Sequence, residues 1–326
     1  MQIAKQRVIW TVLMVGLGWG CIAPAAAQEY PTKPIRFMIG FPPGNSSDLV
    51  SRALAEKLTA RLGQPVVPET RAGASGVVAN GAVAEAAPDG HTMVLLTGGH
   101  PVAAVLLRKL PYHPVKDFAM VSTVTSYPML ILVAVDSPIK TLADLISLAK
   151  AQPNTVTYAA SGPGSLHRLV GELVSIEAGA SLVYVPYKGA SQAMIDLFGG
   201  RIKAMVETAT FSLPQMRAGK LRALALSSAN RYPLAPDVPT IAETISGLDA
   251  GSWLGLAVSP GTPRPIVERL NREVRAIVQT QDMQKRLGDL GGVATPSTPD
   301  EMRERVEREI ARWSRVVKLK NIPPAG

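Results

Sequence analysis

Phe41-Pro42-Pro43-Gly44-Asn45-Ser46-Ser47-Asp48 is the stretch on which the fold turns. It follows a short apolar run at 35–39 and precedes an amphipathic pattern at 48–62. A strand, a glycine-bearing turn and a helix start, in that order, make a place where anions bind. The first backbone N–H groups of a helix have no partner within it, and the helix dipole is positive at that end. A second stretch of similar chemistry, Ser161-Gly162-Pro163-Gly164-Ser165-Leu166-His167, follows the apolar run at 156–159. Two such loops from two lobes predict one acidic ligand gripped from both sides.

Outward from these loops, strand-like runs alternate with helical patterns. Strands are predicted at 93–96, 129–135, 182–185, 204–207 and 221–226. The helix at 48–62 is expected to bury Leu49, Ala53, Leu54, Leu58 and Leu62 as one stripe. Further helices are predicted at 142–149, capped by Thr141 and Asp144, and at 166–176. Thr262-Pro263 reads as an N-cap with proline in the first turn. Thr298-Pro299-Asp300-Glu301 has capping-box spacing and starts a last helix with Met302, Val306, Ile310, Trp313 and Val317 on one face. This alternation predicts an α/β fold with mostly parallel strands. In such sheets ligands sit beyond the carboxyl ends of the strands, where both loops lie.

The start of the chain reads as a leader. Lys5 and Arg7 precede an apolar stretch at 8–20, and Ala25-Ala26-Ala27 supplies small residues for cleavage before Gln28. The apolar stretch is short for a membrane-spanning helix. Cys21, the one cysteine, lies in this leader, so the mature chain has no route to an intramolecular disulfide, thiol catalysis or a cysteine metal site. The formal charge of +9 falls to about +7 once Lys5 and Arg7 are removed. Opposite charges pair at helical spacing near the C-terminus, Glu301 with Arg305 and Glu304 with Arg308. The basic balance therefore reads as mild steering of anionic solutes, and no nucleic-acid partner is expected.

Enzyme signatures are missing. There is no G-x-S-x-G elbow, P-loop or H-E-x-x-H. Gly162 and Gly164 begin a dinucleotide-like pattern, but His167 stands where its third glycine belongs. Four histidines without close spacing do not make a metal site, and no cofactor is expected.

The ordered motifs carry a family resemblance. They are Tyr30-Pro31-Thr32-Lys33-Pro34-Ile35, the Phe41–Asp48 loop, Arg71-Ala72-Gly73-Ala74-Ser75-Gly76 and Ala87-Pro88-Asp89-Gly90-His91-Thr92. Next come Tyr158-Ala159-Ala160-Ser161-Gly162, Gly164-Ser165-Leu166-His167, Val185-Pro186-Tyr187-Lys188-Gly189, Asp196-Leu197-Phe198-Gly199-Gly200-Arg201-Ile202 and Asp237-Val238-Pro239-Thr240. Together they make the chain resemble a periplasmic receptor of the tripartite tricarboxylate transporter type, the Bug or TctC family. The resemblance implies two α/β lobes joined by crossing strands, a periplasmic-binding-protein architecture of type II kind, with the ligand between the lobes. The implied organisation is a signal peptide at 1–27, lobe 1 at 28–127, lobe 2 at 128–250 and a return to lobe 1 at 251–326. It also implies a small carboxylate ligand (dicarboxylate, tricarboxylate, aromatic acid or amino acid), a membrane permease partner, a periplasmic location and a monomer.

The family's gripping loops match Phe41, Gly44, Asn45, Ser46, Ser47 and Asp48, and Ser161, Gly164, Ser165 and His167. Thr97, Gly98 and His100, with Tyr187, Lys188, Gly189 and Glu207, would line the rest of the cleft. Asn45 stands where the family usually has a second glycine; asparagine tolerates left-handed geometry, and its side chain would enter the cleft region. Glu207-Thr208 replaces a commoner Asp-Asn pair. Each residue also has a plainer reading. Asp48 reads as a loop brace near the helix dipole, Ser46 and Ser47 as caps or as donors to a carboxylate. His167 reads as a neutral hydrogen-bonding group or a loop brace, and His100 as a cleft group or a packing residue. Lys188 reads as a ligand partner or a solvated lysine. Tyr187 reads as core or cleft wall and Glu207 as a ligand or cation partner. Two other functions remain open at this stage: an orphan sensor reporting to a membrane kinase, and an exported carboxylate-processing enzyme with His100 or His167 as base.

Overall fold

The computed structural model describes residues 30–73, 76–161, 165–187 and 190–324. The predicted leader, Gly164, Lys188 and Gly189 lie outside these residues, as does the side chain of Ser161. The strands form two sheets, one per lobe. The first runs β11-β4-β10-β3-β1-β2, from β1 (Ile35–Ile39), β2 (Val66–Thr70), β3 (Thr92–Thr97), β4 (Ala119–Tyr127), β10 (Ser252–Val258) and β11 (Val293–Ala294). The second runs β7-β6-β8-β5-β9, from β5 (Met129–Ala134), β6 (Val156–Ser161), β7 (Leu182–Tyr187), β8 (Ala204–Thr208) and β9 (Leu221–Leu226). Helices cover both: α1 (Ser46–Leu62), α2 (Val77–Ala84), α3 (Gly99–Leu106), α4 (Leu142–Ala151), α5 (Leu166–Glu177), α6 (Ala190–Phe198), α7 (Ala209–Arg217), α8 (Arg264–Val278), α9 (Gln281–Asp289) and α10 (Pro299–Leu319). None of the helices among the described residues is long and apolar enough to cross a membrane.

The sheets are mixed, which corrects the expectation of mostly parallel strands. β1 pairs in parallel with β2 and β3, and β6 with β7 and β8. β10 lies antiparallel between β3 and β4, and β5 antiparallel between β8 and β9. The reason is chain passage. β4 ends at Tyr127, and after Pro128 the chain enters the middle of the second sheet as β5. It returns through Ser227 and Ala250 into β10. The two crossings touch: Ser227 N–H donates to the Met129 carbonyl at 2.8 Å, and Ala250 N–H to the Ser227 carbonyl at 2.7 Å.

Burial follows the pattern of each element. β3, Thr-Met-Val-Leu-Leu-Thr, is covered on both faces, as a continuous apolar run in a two-layered sheet should be. In α1 the stripe is rotated from the expected one: Val50, Leu54, Ala55, Leu58 and Leu62 are buried, while Leu49 is 42 % exposed. Thr141 and Asp144 form the expected capping box of α4, and Thr298 and Glu301 that of α10. Thr262 does not cap α8; its hydroxyl donates to the Ser259 carbonyl, and Pro263 stands at the cap without a side-chain bond.

α10 spans the lobes. Met302 and Val306 pack in the first lobe with Met38, Val94 and Trp253. Trp313 and Val316 join the apolar cluster of the second lobe with Leu169, Val170 and Leu173, as do Val102 and Leu106 of α3. Arg315 pairs with Glu177 and Lys320 with Glu172, both on α5.

Candidate ligand-binding site

The α1 loop is held by its own side chains. Gly44 has a φ of +86°, which an L side chain resists. Its N–H donates to Asp48 Oδ2 at 2.9 Å, while Arg52 Nε donates to Asp48 Oδ1 at 2.9 Å. Asp48 is buried and acts as the brace of the loop. Asn45 is the N-cap: its backbone is extended at φ −81°, and its Oδ1 accepts from Asp48 N–H at 2.9 Å. This corrects two expectations. The left-handed residue is Gly44 alone, and the Asn45 side chain folds back onto the helix. Ser46 and Ser47 therefore lie inside the helix, and the hydroxyl of Ser47 is left buried with no hydrogen-bond partner; the residue is 8 % exposed.

The second loop delivers a different group. Ser165 caps α5, its Oγ accepting from Arg168 N–H. Two residues on, His167 Nε2–H donates to Glu207 Oε1 at 3.0 Å. The Thr208 N–H also donates to that oxygen, at 2.8 Å. Burial pushes the Glu207 carboxyl up, but the His167 and Thr208 contacts outweigh it and leave it below its ordinary value. With Nε2–H spent on Glu207, the opposite ring nitrogen, Nδ1, is buried and unpartnered. Buried polar atoms ordinarily find partners, so Ser47 Oγ and His167 Nδ1 are two open positions, one near the start of α1 and one near the start of α5.

Strand β3 brings the lobes together. Thr97 Oγ1 accepts from Gly99 N–H at 3.1 Å. A Cβ on Gly98 would lie 2.7 Å from Ser252 Oγ and 3.3 Å from Leu166 Cδ2, the residue before His167. Gly98 therefore lets the first-lobe loop approach the start of α5. Gly40 makes a similar close approach, since its Cβ would lie 2.6 Å from Gly76 Cα. Phe41 packs beside that contact. Ser252 and Gly40 escaped the sequence reading, and Gly76 entered it only within the Arg71–Gly76 motif; a glycine closing an apolar strand was the available signal for Gly40.

His100 is elsewhere. It is 1 % exposed, donates from Nε2 to the Pro114 carbonyl at 2.8 Å, and faces Asn80 Nδ2 with Nδ1 at 3.3 Å. Its ring stacks on Tyr112 and meets Phe118 edge-on. Burial drives its pKa down to about 4, against the raising effect of the Pro114 carbonyl. His100 is a neutral core residue of the first lobe, with both ring nitrogens engaged, so its reading as a cleft group or base is corrected. Tyr187 is also engaged, donating to Asp196 Oδ2 at 2.6 Å. The described residues contain no group of acids and histidines that could hold a metal.

The model of the tripartite tricarboxylate transporter family receptor matches residues 50–322. Protein BugT of Bordetella pertussis (strain Tohama I) is 36 % identical over 302 residues, 92 % of this chain and 93 % of that protein. A solved R. palustris protein with adipate has 34 % identity and a TM-score of 0.75, covering 91 % of this chain and 100 % of its own. MatC from Rhodopseudomonas palustris with bound malate has 33 % identity and a TM-score of 0.71, covering 88 % and 100 %. The chain belongs to the tripartite tricarboxylate transporter receptor family. Receptors of this family are periplasmic. It is a two-lobed binding receptor and not an enzyme.

Proposed function

We propose that the mature chain, exported after loss of residues 1–27, captures a small dicarboxylate between its lobes and presents it to a membrane permease. The observation that carries this reading is the buried, unpartnered Ser47 hydroxyl at the start of α1, in a loop already fixed by Asp48. A prepared donor at a helix N-terminus suits a carboxylate oxygen. The bound adipate and malate of the two relatives support the ligand class. We take the lobes as 28–127 with 251–326, and 128–250. Closure would turn on the two touching crossings at Pro128 and Ala250, the short segments that absorb such a motion. At the start of α1 the bound ligand's charge is then met by fixed dipoles rather than by a salt bridge.

The test is thermal unfolding of the mature protein, refolded to strip carried-over ligand, against adipate, malate, citrate, benzoate and glutamate. A ligand at about 100 times its Kd adds roughly 2.7 kcal/mol, which is several degrees of melting temperature at this size. A rise with the dicarboxylates, with the acid recovered unchanged, supports the reading. A flat response to all five refutes it.

A further inference from the structure

His167 holds an open ring nitrogen at the first turn of α5, and its other nitrogen is fixed on a carboxylate. In the neutral ring Nδ1 is an acceptor, since Nε2 carries the proton donated to Glu207. An acceptor facing an incoming carboxylate repels it, and a carboxylate has no proton to offer. One change resolves the conflict: Nδ1 takes a proton and becomes a donor. Glu207 would stabilise the resulting imidazolium from behind, in the manner of a carboxylate that orients and charges a histidine. The start of α5 opposes that charge through its dipole, and the ligand's anion offsets the opposition.

Among the described residues, the surroundings isolate this pair. α5 packs against β5, β6, β7, β8 and α10. β5 carries no titratable residue, and β8 supplies Glu207. Tyr158 of β6 donates its hydroxyl to the Arg168 carbonyl at 3.1 Å. Arg168 lies over the Tyr184 ring of β7 at 4.6 Å and near Glu172 at 3.6 Å. Beyond α10, Lys320 meets Glu172; Arg315 meets Glu177. Glu207 alone among these groups is bonded to the His167 ring.

We propose that His167 Nδ1, charged by Glu207, receives the second carboxylate of the ligand, so that capture of a dianion takes up one proton. This rests on the receptor reading above and adds to it a pH-dependent specificity device. Affinity for adipate is expected to fall as pH rises, because each capture draws a proton from solution. Malate has a hydroxyl that can donate to a neutral Nδ1, so it escapes part of this loss.

The experiment is calorimetric titration of the mature protein with adipate in phosphate and in Tris, between about pH 6 and 8.5, where both adipate carboxyls are ionised. The two buffers differ in ionisation heat, so their difference counts protons. The expected result is close to one proton taken up per adipate at the alkaline end. Glu207→Gln keeps an acceptor for Nε2 but removes the charge, and should move the fall in affinity to lower pH. His167→Asn places a permanent donor near Nδ1 and should bind adipate without proton uptake or pH dependence. Circular dichroism confirms that both variants are folded. Adipate binding with no proton uptake at any pH, unchanged in His167→Asn, overturns the inference and leaves the receptor reading standing. No binding of adipate or malate by the unmodified protein overturns both.

Discussion

Asp48 shows how a single side chain fixes a loop at a helix start. Its two oxygens hold Gly44 N–H and Arg52, so the loop is fixed before any ligand arrives. Gly44→Val puts a β-branched residue at φ +86°, costing about 1–3 kcal/mol. We expect a folded protein by circular dichroism that no longer shows a melting rise with dicarboxylates. Ser47→Ala removes a hydroxyl that has no partner, so stability should hold or rise slightly, while dicarboxylate affinity falls by about 1 kcal/mol, roughly fivefold. Calorimetry beside thermal melts separates the two effects. His100 gives a pH prediction of a different kind. It is neutral when folded, with a pKa lowered from 6.5 to about 4. An unfolded chain protonates it below about pH 6.5. The stability it supports is therefore complete above that pH and is lost as pH falls toward 4, amounting to about 3 kcal/mol. Denaturant midpoints from pH 7 to 4 should show this loss, and His100→Gln should be less stable at pH 7 but lose less on acidification. Of these residues, the bracing role of Asp48 was legible, because an acid at a helix start suits the dipole. The place of His100 was not: its Gly-Gly flank resembles a cleft loop, and only Pro114 and Asn80, distant in sequence, reveal it as core.

Elements with strong local chemistry matched their sequences; those held by distant partners did not. The capping boxes of α4 and α10 are complete within four residues, so their starts could be read directly. Asn45→Ala removes the cap of α1 and should cost about 0.5–2 kcal/mol, and it should weaken ligand binding by loosening the same loop; urea midpoints and calorimetry check both. β4 shows why some strands were missed. Ser122, Thr123 and Thr125 are buried in it, where apolar residues are ordinarily expected. Their hydroxyls donate to the carbonyls of Ser297, Thr295 and Val293, in the segment leading into α10. That segment is some 170 residues away, so no local pattern announces it. β10 escaped for a related reason: buried on both faces between β3 and β4, it has no alternation, and Gly255 sits in its middle against Met302.

At the scale of the molecule, α10 and the two crossings decide how the lobes behave. Trp313 leaves a first-lobe helix to fill the second lobe's core and is 1 % exposed. Trp313→Ala should cost about 3–5 kcal/mol, and calorimetry should then record two unfolding transitions where the unmodified protein is expected to show one, as the lobes lose their shared core. Arg315→Ala, which breaks the exposed pair with Glu177, should change stability by less than about 1 kcal/mol. The sequence alone determined the α/β alternation, the brace at Asp48 and the family, because each rests on neighbouring residues or on motifs in order. Tertiary structure alone decided the mixed direction of the sheets, the passage of α10 across the lobes and the pairing of His167 with Glu207. Those features depend on which distant segments meet, and burial of polar groups is settled only by the partners that long-range folding brings to them.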